Sequence, residues 1–283
     1  MISSAKGVTM DKRIAIVTGA NRGIGRETAL GLARAGLTVV MGSRNVEQAE
    51  EVRAEIVRET GNAELFVLPL DLASKASIRA FVEAFGRRFG KVHILVNNAG
   101  ISNTREEKTV DGLEPIVGTN FFGTFTLTEL LLPLFEEGAD CRIVTLVSNI
   151  YKSGRFDPAK INGYRWVKAY AVSKYLLLLY TLELAERLKE RGISVNAVHP
   201  GIVNTSIMYV NRWYDAIIKL IIGPFLVDPA EGAKTSLYLA LSEEVRGESG
   251  RLYAKSAPVK IPRRFDDPDL RKVVVRLGLE HMR

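Results

Sequence analysis

The chain has 283 residues, 47% hydrophobic and 25% charged, ordinary values for a globular protein long enough to bury a substantial core. Its net charge of +7 suits an anionic ligand, yet no basic run is interleaved with aromatic residues, so nucleic acid is not an expected partner. The single cysteine, Cys141, rules out an intramolecular disulfide, and His93, His199 and His281 are too scattered for a metal site.

Met1 to Asp11 lack the apolar centre of a signal peptide, and nowhere do about eighteen apolar residues run uninterrupted. The expected location is therefore cytoplasmic, in solution or against a membrane surface. Ile14 to Val17 read as a short buried strand, and Gly19, Gly23 and Gly25 follow in the spacing G-x-x-x-G-x-G before a helical pattern that reaches Gly36. Glycines there allow a tight strand-to-helix turn and close approach of a pyrophosphate, to which the helix start offers unpaired N–H groups. A nucleotide is the expected ligand of this turn.

Leu37 to Met41 give a second strand, followed by Ser43 and Arg44, and Asn45 to Glu59 a charged helix. Leu65 to Leu70 form a third strand ending in Asp71, Ser74 to Phe89 a helix, and Val92 to Val96 a fourth strand running into Asn97-Asn98-Ala99-Gly100. Helix returns over Glu114 to Phe135, bent near its end by Pro133. Arg142 to Val147 make strand five, Tyr170 to Arg191 a long helix and Ile193 to Val198 strand six. Alternating helices and continuously apolar strands call for a parallel sheet covered on both faces, a doubly wound α/β fold in one domain spanning 1–283.

In such folds ligands bind beyond the carboxyl ends of the strands. Those ends are where Gly19 to Gly25, Ser43-Arg44, Asp71, Asn97 to Gly100, Ser148 and Pro200-Gly201 fall. Each group is also ordinary turn material, but six segments converging on one rim point to a ligand. Where an NAD-specific site places a carboxylate after strand two, this chain has Ser43 and Arg44, and Arg22 stands in the glycine turn. Guanidinium groups match a 2′-phosphate, so the expected cofactor is NADP(H).

Tyr170 and Lys174, four residues apart, project from one helix face. A phenol titrating near ~10 becomes a usable acid or base when a neighbouring ammonium stabilises the phenolate. Ser148 is placed to hydrogen-bond a substrate carbonyl oxygen.

VTGANRGIG at 17–25, Asp71-Leu72, NNAG at 97–100, Asn120, Ser148, YAVSK at 170–174 and HPGIVNT at 199–205 resemble the short-chain dehydrogenase/reductase family, collinearly from about residue 12 to 254. The resemblance implies a Rossmann-type domain with a mostly parallel seven-stranded sheet. It makes Tyr170 the general acid or base, Lys174 its tuning partner and a ribose ligand, Ser148 the residue that orients the substrate, and Asn120 a holder of relay water. Cofactor contacts are expected from Gly19, Asn21, Arg22, Gly23, Ile24 and Gly25, from Ser43, Arg44 and Asn45, and from Asp71 and Leu72. Asn98, Ala99, Gly100, Pro200, Gly201, Val203 and Thr205 complete the set, the last two near the carboxamide.

The stretch between Ser148 and Tyr170 is longer than in many members, and with Ala230 to Ala233 and Gly250 to Tyr253 it is similar to the retinol-dehydrogenase-like branch. That implies a bulky apolar alcohol or carbonyl substrate. The apolar segment 209–227 is expected to be a substrate lobe, the alternatives being a packed helix or an interfacial membrane helix. By the same resemblance Leu176 to Leu179 lie partly in the core and partly at a homodimer or homotetramer interface, and 255–283 is a C-terminal extension. The expected function is an NADP(H)-dependent oxidoreductase that moves a hydride between nicotinamide and an apolar alcohol/carbonyl pair. The alternatives are an idle NADP(H)-sensing or scaffold protein of the same fold, and a peripheral membrane protein.

Overall fold

Side chains alternate across a strand, so a continuously apolar run needs cover on both sides. In the first run, Ile14 and Ile16 join one hydrophobic core and Ala15 and Val17 the other. The computed structural model describes residues 12–102, 107–201 and 228–283. Its strands are β1 (Ile14–Thr18), β2 (Thr38–Ser43), β3 (Leu65–Pro69), β4 (Ile94–Asn97), β5 (Arg142–Leu146), β6 (Ser194–Val198), β7 (Leu252–Ala254) and β8 (Ala257–Val259). They form one sheet in the order β3-β2-β1-β4-β5-β6-β7-β8, parallel throughout except for β8. The order reverses between β1 and β4, which opens a crevice at their carboxyl ends.

The sheet has eight strands where seven were expected. Lys255 and Ser256, both at positive φ (51° and 57°), turn β7 back onto β8. This two-residue turn lacks the Asn-Gly or Asp-Gly pair that announces a hairpin, and Pro258 is acceptable because β8 is an edge strand.

Helices α1 (Gly23–Arg34) and α2 (Val46–Thr60) cover one face of the sheet, and α3 (Lys75–Phe89) belongs to the other. Asn45 Oδ1 accepts from Gln48 N to cap α2, and Ser74 caps α3 through Ser77 N. The helix expected over Glu114 to Phe135 is built in four pieces: α4 (Pro115–Val117), a π-helical turn (Gly118–Gly123), α5 (Thr124–Leu131) and a 3-10 turn (Leu132–Leu134) holding Pro133. Gly123 lets this element press on the loop after β3, where a Cβ would stand 2.1 Å from Leu72 O.

The long helix α6 runs over Val167–Arg187, so Tyr170 sits in its first turn, three residues inside its start. Leu176 to Leu179 are at most 2% exposed within the single chain. Helix α7 (Pro229–Leu241) packs Leu237 against Gly31 of α1. The 255–283 extension contributes β8 and helix α8 (Pro268–Met282), capped by Asp267. Gly278 of α8 rests on the Phe125 ring, so α8 covers α5 and α6. Among the described residues no helix is long and apolar enough to cross a membrane.

Candidate active site

The glycine turn builds an anion cradle. Gly19 and Gly23 take φ of 65° and 55°, conformations that side chains disfavour, and a Cβ on Gly25 would lie 2.2 Å from Gly19 O. Asn98 Nδ2 donates to Thr18 O (2.7 Å) and Gly19 O (3.3 Å), while Thr18 Oγ1 accepts from the backbone N–H groups of Asn98 and Ala99. The Asn98 side chain therefore straps the turn to β1. Unlike α2 and α3, helix α1 has no side-chain cap, and its first residues, Gly23 to Gly25, line the crevice. That uncapped terminus fits a phosphorylated cofactor.

Around the cradle, Asn21 donates to Gln48 Oε1 at 2.7 Å, Ser43 Oγ donates to Asn45 O, and Asp71 Oδ1 accepts from Ala73 N. Arg22 and Arg44 are exposed, line the crevice and, among the described residues, pair with no carboxylate. The cavity is about 900 Å³. Nearly every expected contact among the described residues lines it: Gly19, Asn21 to Gly25, Ser43 to Asn45, Asp71, Leu72, Asn98 to Gly100, Ser148, Tyr170, Lys174, Pro200 and Gly201. Val203, Thr205 and the 209–227 segment lie outside the described residues.

Asn120 does not line the cavity. It is fully buried in the π-helical turn, where its Oδ1 accepts from Ile101 N (2.7 Å) and its Nδ2 donates to Ile101 O (2.7 Å) and Ser173 Oγ (3.1 Å). With both ends of the amide engaged, the side chain positions the loop after β4.

Ser148, two residues past β5, lies close enough to Tyr170 to favour the phenolate. Burial opposes it and is the larger effect, so the phenol stands above its ordinary value. Lys174 is 4% exposed and donates from Nζ to Leu146 O at 2.8 Å. Burial alone lowers its pKa from 10.5 to about 8. Its Nζ lies 5.8 Å from the centre of the Tyr170 ring. Desolvation acts on both groups and discourages charge on each.

The sequence reading passed over Thr18, the anchor of the turn, and Ile101, Ile150 and Val167, which form an apolar wall on the Tyr170 side. Position gave the only signal for them: Thr18 and Ile101 adjoin Gly19 and Gly100, and Ile150 and Val167 lie within three residues of Ser148 and Tyr170. Cys141 and His93 are buried away from the cavity. Burial pushes the Cys141 thiol up to about 11, and His93 Nδ1 accepts from Ile14 N. No metal-binding group of three or more ligands occurs among the described residues.

The pattern of the short chain dehydrogenase family matches residues 13–214. The chain is 41% identical to retinol dehydrogenase 11 of Mus musculus over 259 residues, covering 88% of this chain and 81% of that protein. It is 37% identical to retinol dehydrogenase 14 of Homo sapiens over 284 residues, covering 93% and 84%. Among solved structures, a protein of Mycobacterium paratuberculosis superposes with a TM-score of 0.77 at 29% identity, covering 95% of this chain and 93% of that one. A Shigella flexneri protein described as a short chain dehydrogenase, solved complexed with NADP, gives 0.70 at 27% identity, covering 87% and 98%. A glycine cradle at β1, an engaged Asn120 and a Ser148–Tyr170 pair above a buried Lys174 thus occur in a chain matched along most of its length, which belongs to the short-chain dehydrogenase/reductase family, in its retinol-dehydrogenase-like branch.

Proposed function

We propose that the protein is an NADP(H)-dependent oxidoreductase that interconverts an apolar alcohol and its carbonyl. The observation that carries the cofactor preference is the pair of arginines, Arg44 after β2 and Arg22 before α1, that pair with no carboxylate among the described residues and line the crevice where a carboxylate would select NAD. A relative's solved complex with NADP supports the same reading. Ile101, Ile150 and Val167 beside Tyr170 support an apolar substrate, as do the relatives' names.

The nicotinamide supplies or accepts the hydride when bound. The chain's own residues handle the proton and the geometry. Tyr170 Oη gives its proton to a carbonyl oxygen on reduction and takes it from the alcohol on oxidation. Ser148, close enough to that phenol to favour its phenolate, is placed to share the same oxygen and fix its distance. Lys174 is held beneath by the Leu146 carbonyl, and as an ammonium it favours the phenolate.

Arg44→Ala tests the cofactor assignment. The preference for NADPH over NADH in kcat/KM should fall by about tenfold or more, the worth of a charge-assisted hydrogen bond of ~1.5–3 kcal/mol. An unchanged preference would remove Arg44 from the site.

A further inference from the structure

The first turn of α6 carries Tyr170 and is loosely closed. Its N-cap, Trp166, stands at φ of 52° and gives no side-chain cap, and Val167 is 68% exposed. Lys168 N and Ala169 N share one acceptor, Arg165 O, at 3.2 and 3.5 Å, and Tyr170 N donates to Trp166 O at 2.9 Å. Helix ends with shared, long bonds of this kind are where fraying begins.

One side chain holds the turn from within. Ser173 is fully buried; its Oγ donates to Tyr170 O at 2.8 Å and accepts from Asn120 Nδ2 at 3.1 Å. The hydroxyl has a single proton, so the Tyr170 carbonyl takes it and the Asn120 amide is received on a lone pair. Through Asn120, which exchanges two further bonds with the Ile101 backbone, the link reaches the apolar wall. Ile101, Asn120, Ser173 and Tyr170 thus form one hydrogen-bonded chain from that wall to the turn that bears the phenol.

A serine that bonds back to a carbonyl one turn earlier bends its helix slightly, so this contact aims the turn as well as holding it. Lys174 is anchored elsewhere, on Leu146 O. Phenol and ammonium therefore have separate moorings, and the position of the phenol can change while the lysine stays.

We propose that Ser173 is a positioning residue for proton transfer: through the Tyr170 carbonyl it sets how deeply the first turn of α6 seats, and so how Tyr170 Oη meets Ser148 and the substrate oxygen. Ser173 does not line the cavity, so it acts only through Tyr170. The role rests on the proton-transfer reading of Tyr170.

The test uses the full chain with NADPH and two probe carbonyls, nonanal and all-trans-retinal. Ser173→Ala should lower kcat about tenfold while NADPH affinity stays within about twofold. On the Tyr170→Phe background the same substitution should change the residual rate by less than about twofold, because the group it positions is gone, whereas a general loosening of the fold would slow both backgrounds alike. Amide exchange should quicken over 167–171 and stay as in the parent from 174 onward. If Ser173→Ala does not fold, Ser173→Cys, which keeps the shape and only a weak donor, takes its place. The proposal is overturned by parental kcat, by an equal loss on both backgrounds or, where neither probe is turned over, by exchange over 167–171 no faster than in the parent. Parental turnover in Tyr170→Phe would sink the proton-transfer reading, and the positioning role with it.

Discussion

Tyr170→Phe removes one hydroxyl from a half-buried side chain in the first turn of α6, leaving the ring and its packing intact. Cofactor affinity should persist while kcat falls ~10²–10⁴-fold, the usual worth of general acid catalysis, as single-turnover kinetics would show. Lys174 behaves differently because its charge is buried with a carbonyl as its polar partner. Its folded pKa of about 8 lies below the ordinary 10.5, so from pH 8 to 10.5 the unfolded chain binds more protons. Over that window this group makes stability rise with pH, and below pH 8 its full penalty, on the order of 3 kcal/mol, applies. Lys174→Met should therefore stabilise the cofactor-free protein at pH 7 by about 1–3 kcal/mol, less the lost hydrogen bond to Leu146. It should also flatten the rise toward pH 10 in urea titrations and abolish turnover. A less stable variant would mean that the carbonyl contact outweighs the desolvation.

Helix α1 illustrates how an element's end becomes a binding feature. Its neighbours α2 and α3 close their amino termini with Asn45 and Ser74, whereas α1 begins at an extended Arg22 without a side-chain cap. The cost of that missing cap, about 1 kcal/mol, is recovered when an anion arrives. Gly25→Ala probes the element directly. Its methyl would collide with a backbone oxygen at 2.2 Å, which cannot swing aside as a side chain can. The helix start should shift, lowering NADPH affinity at least about tenfold by fluorescence titration while α6 and its Tyr170 remain in place. The π-helical turn around Asn120 is the second case of an irregular element serving the site, since it clamps Ile101 from both sides.

At the scale of the whole molecule, the C-terminal extension is part of the core. Phe265 is fully buried between Tyr151 and Tyr175, the His281 ring lies 4.7 Å from that of Phe122, and Lys75 Nζ donates to the His281 carbonyl. Removing residues 262–283 should uncover Phe122, Phe125 and Tyr175, lower the melting temperature by several degrees and promote self-association visible by light scattering. A shortened chain that associates no more than its parent and is equally stable would show that α8 is dispensable.

Much of this was legible in the order of residues because the deciding interactions are local. Strand and helix periodicity, the caps at Asn45 and Ser74, the glycines at β1 and the four-residue spacing of Tyr170 and Lys174 are set by backbone sterics and by repeats of two and 3.6. Family resemblance then supplied the chemistry. Contacts between distant segments could not be read in this way. The breaking of one expected helix into four pieces and the covering of α5 and α6 by α8 follow from packing between segments far apart in sequence, while the Lys255-Ser256 turn into β8 is local but lacks the residue pair that announces a hairpin. The charge state of the site belongs with them: Lys174 and Tyr170 lie one helical turn apart, yet the dielectric made by the surrounding fold sets their pKa values.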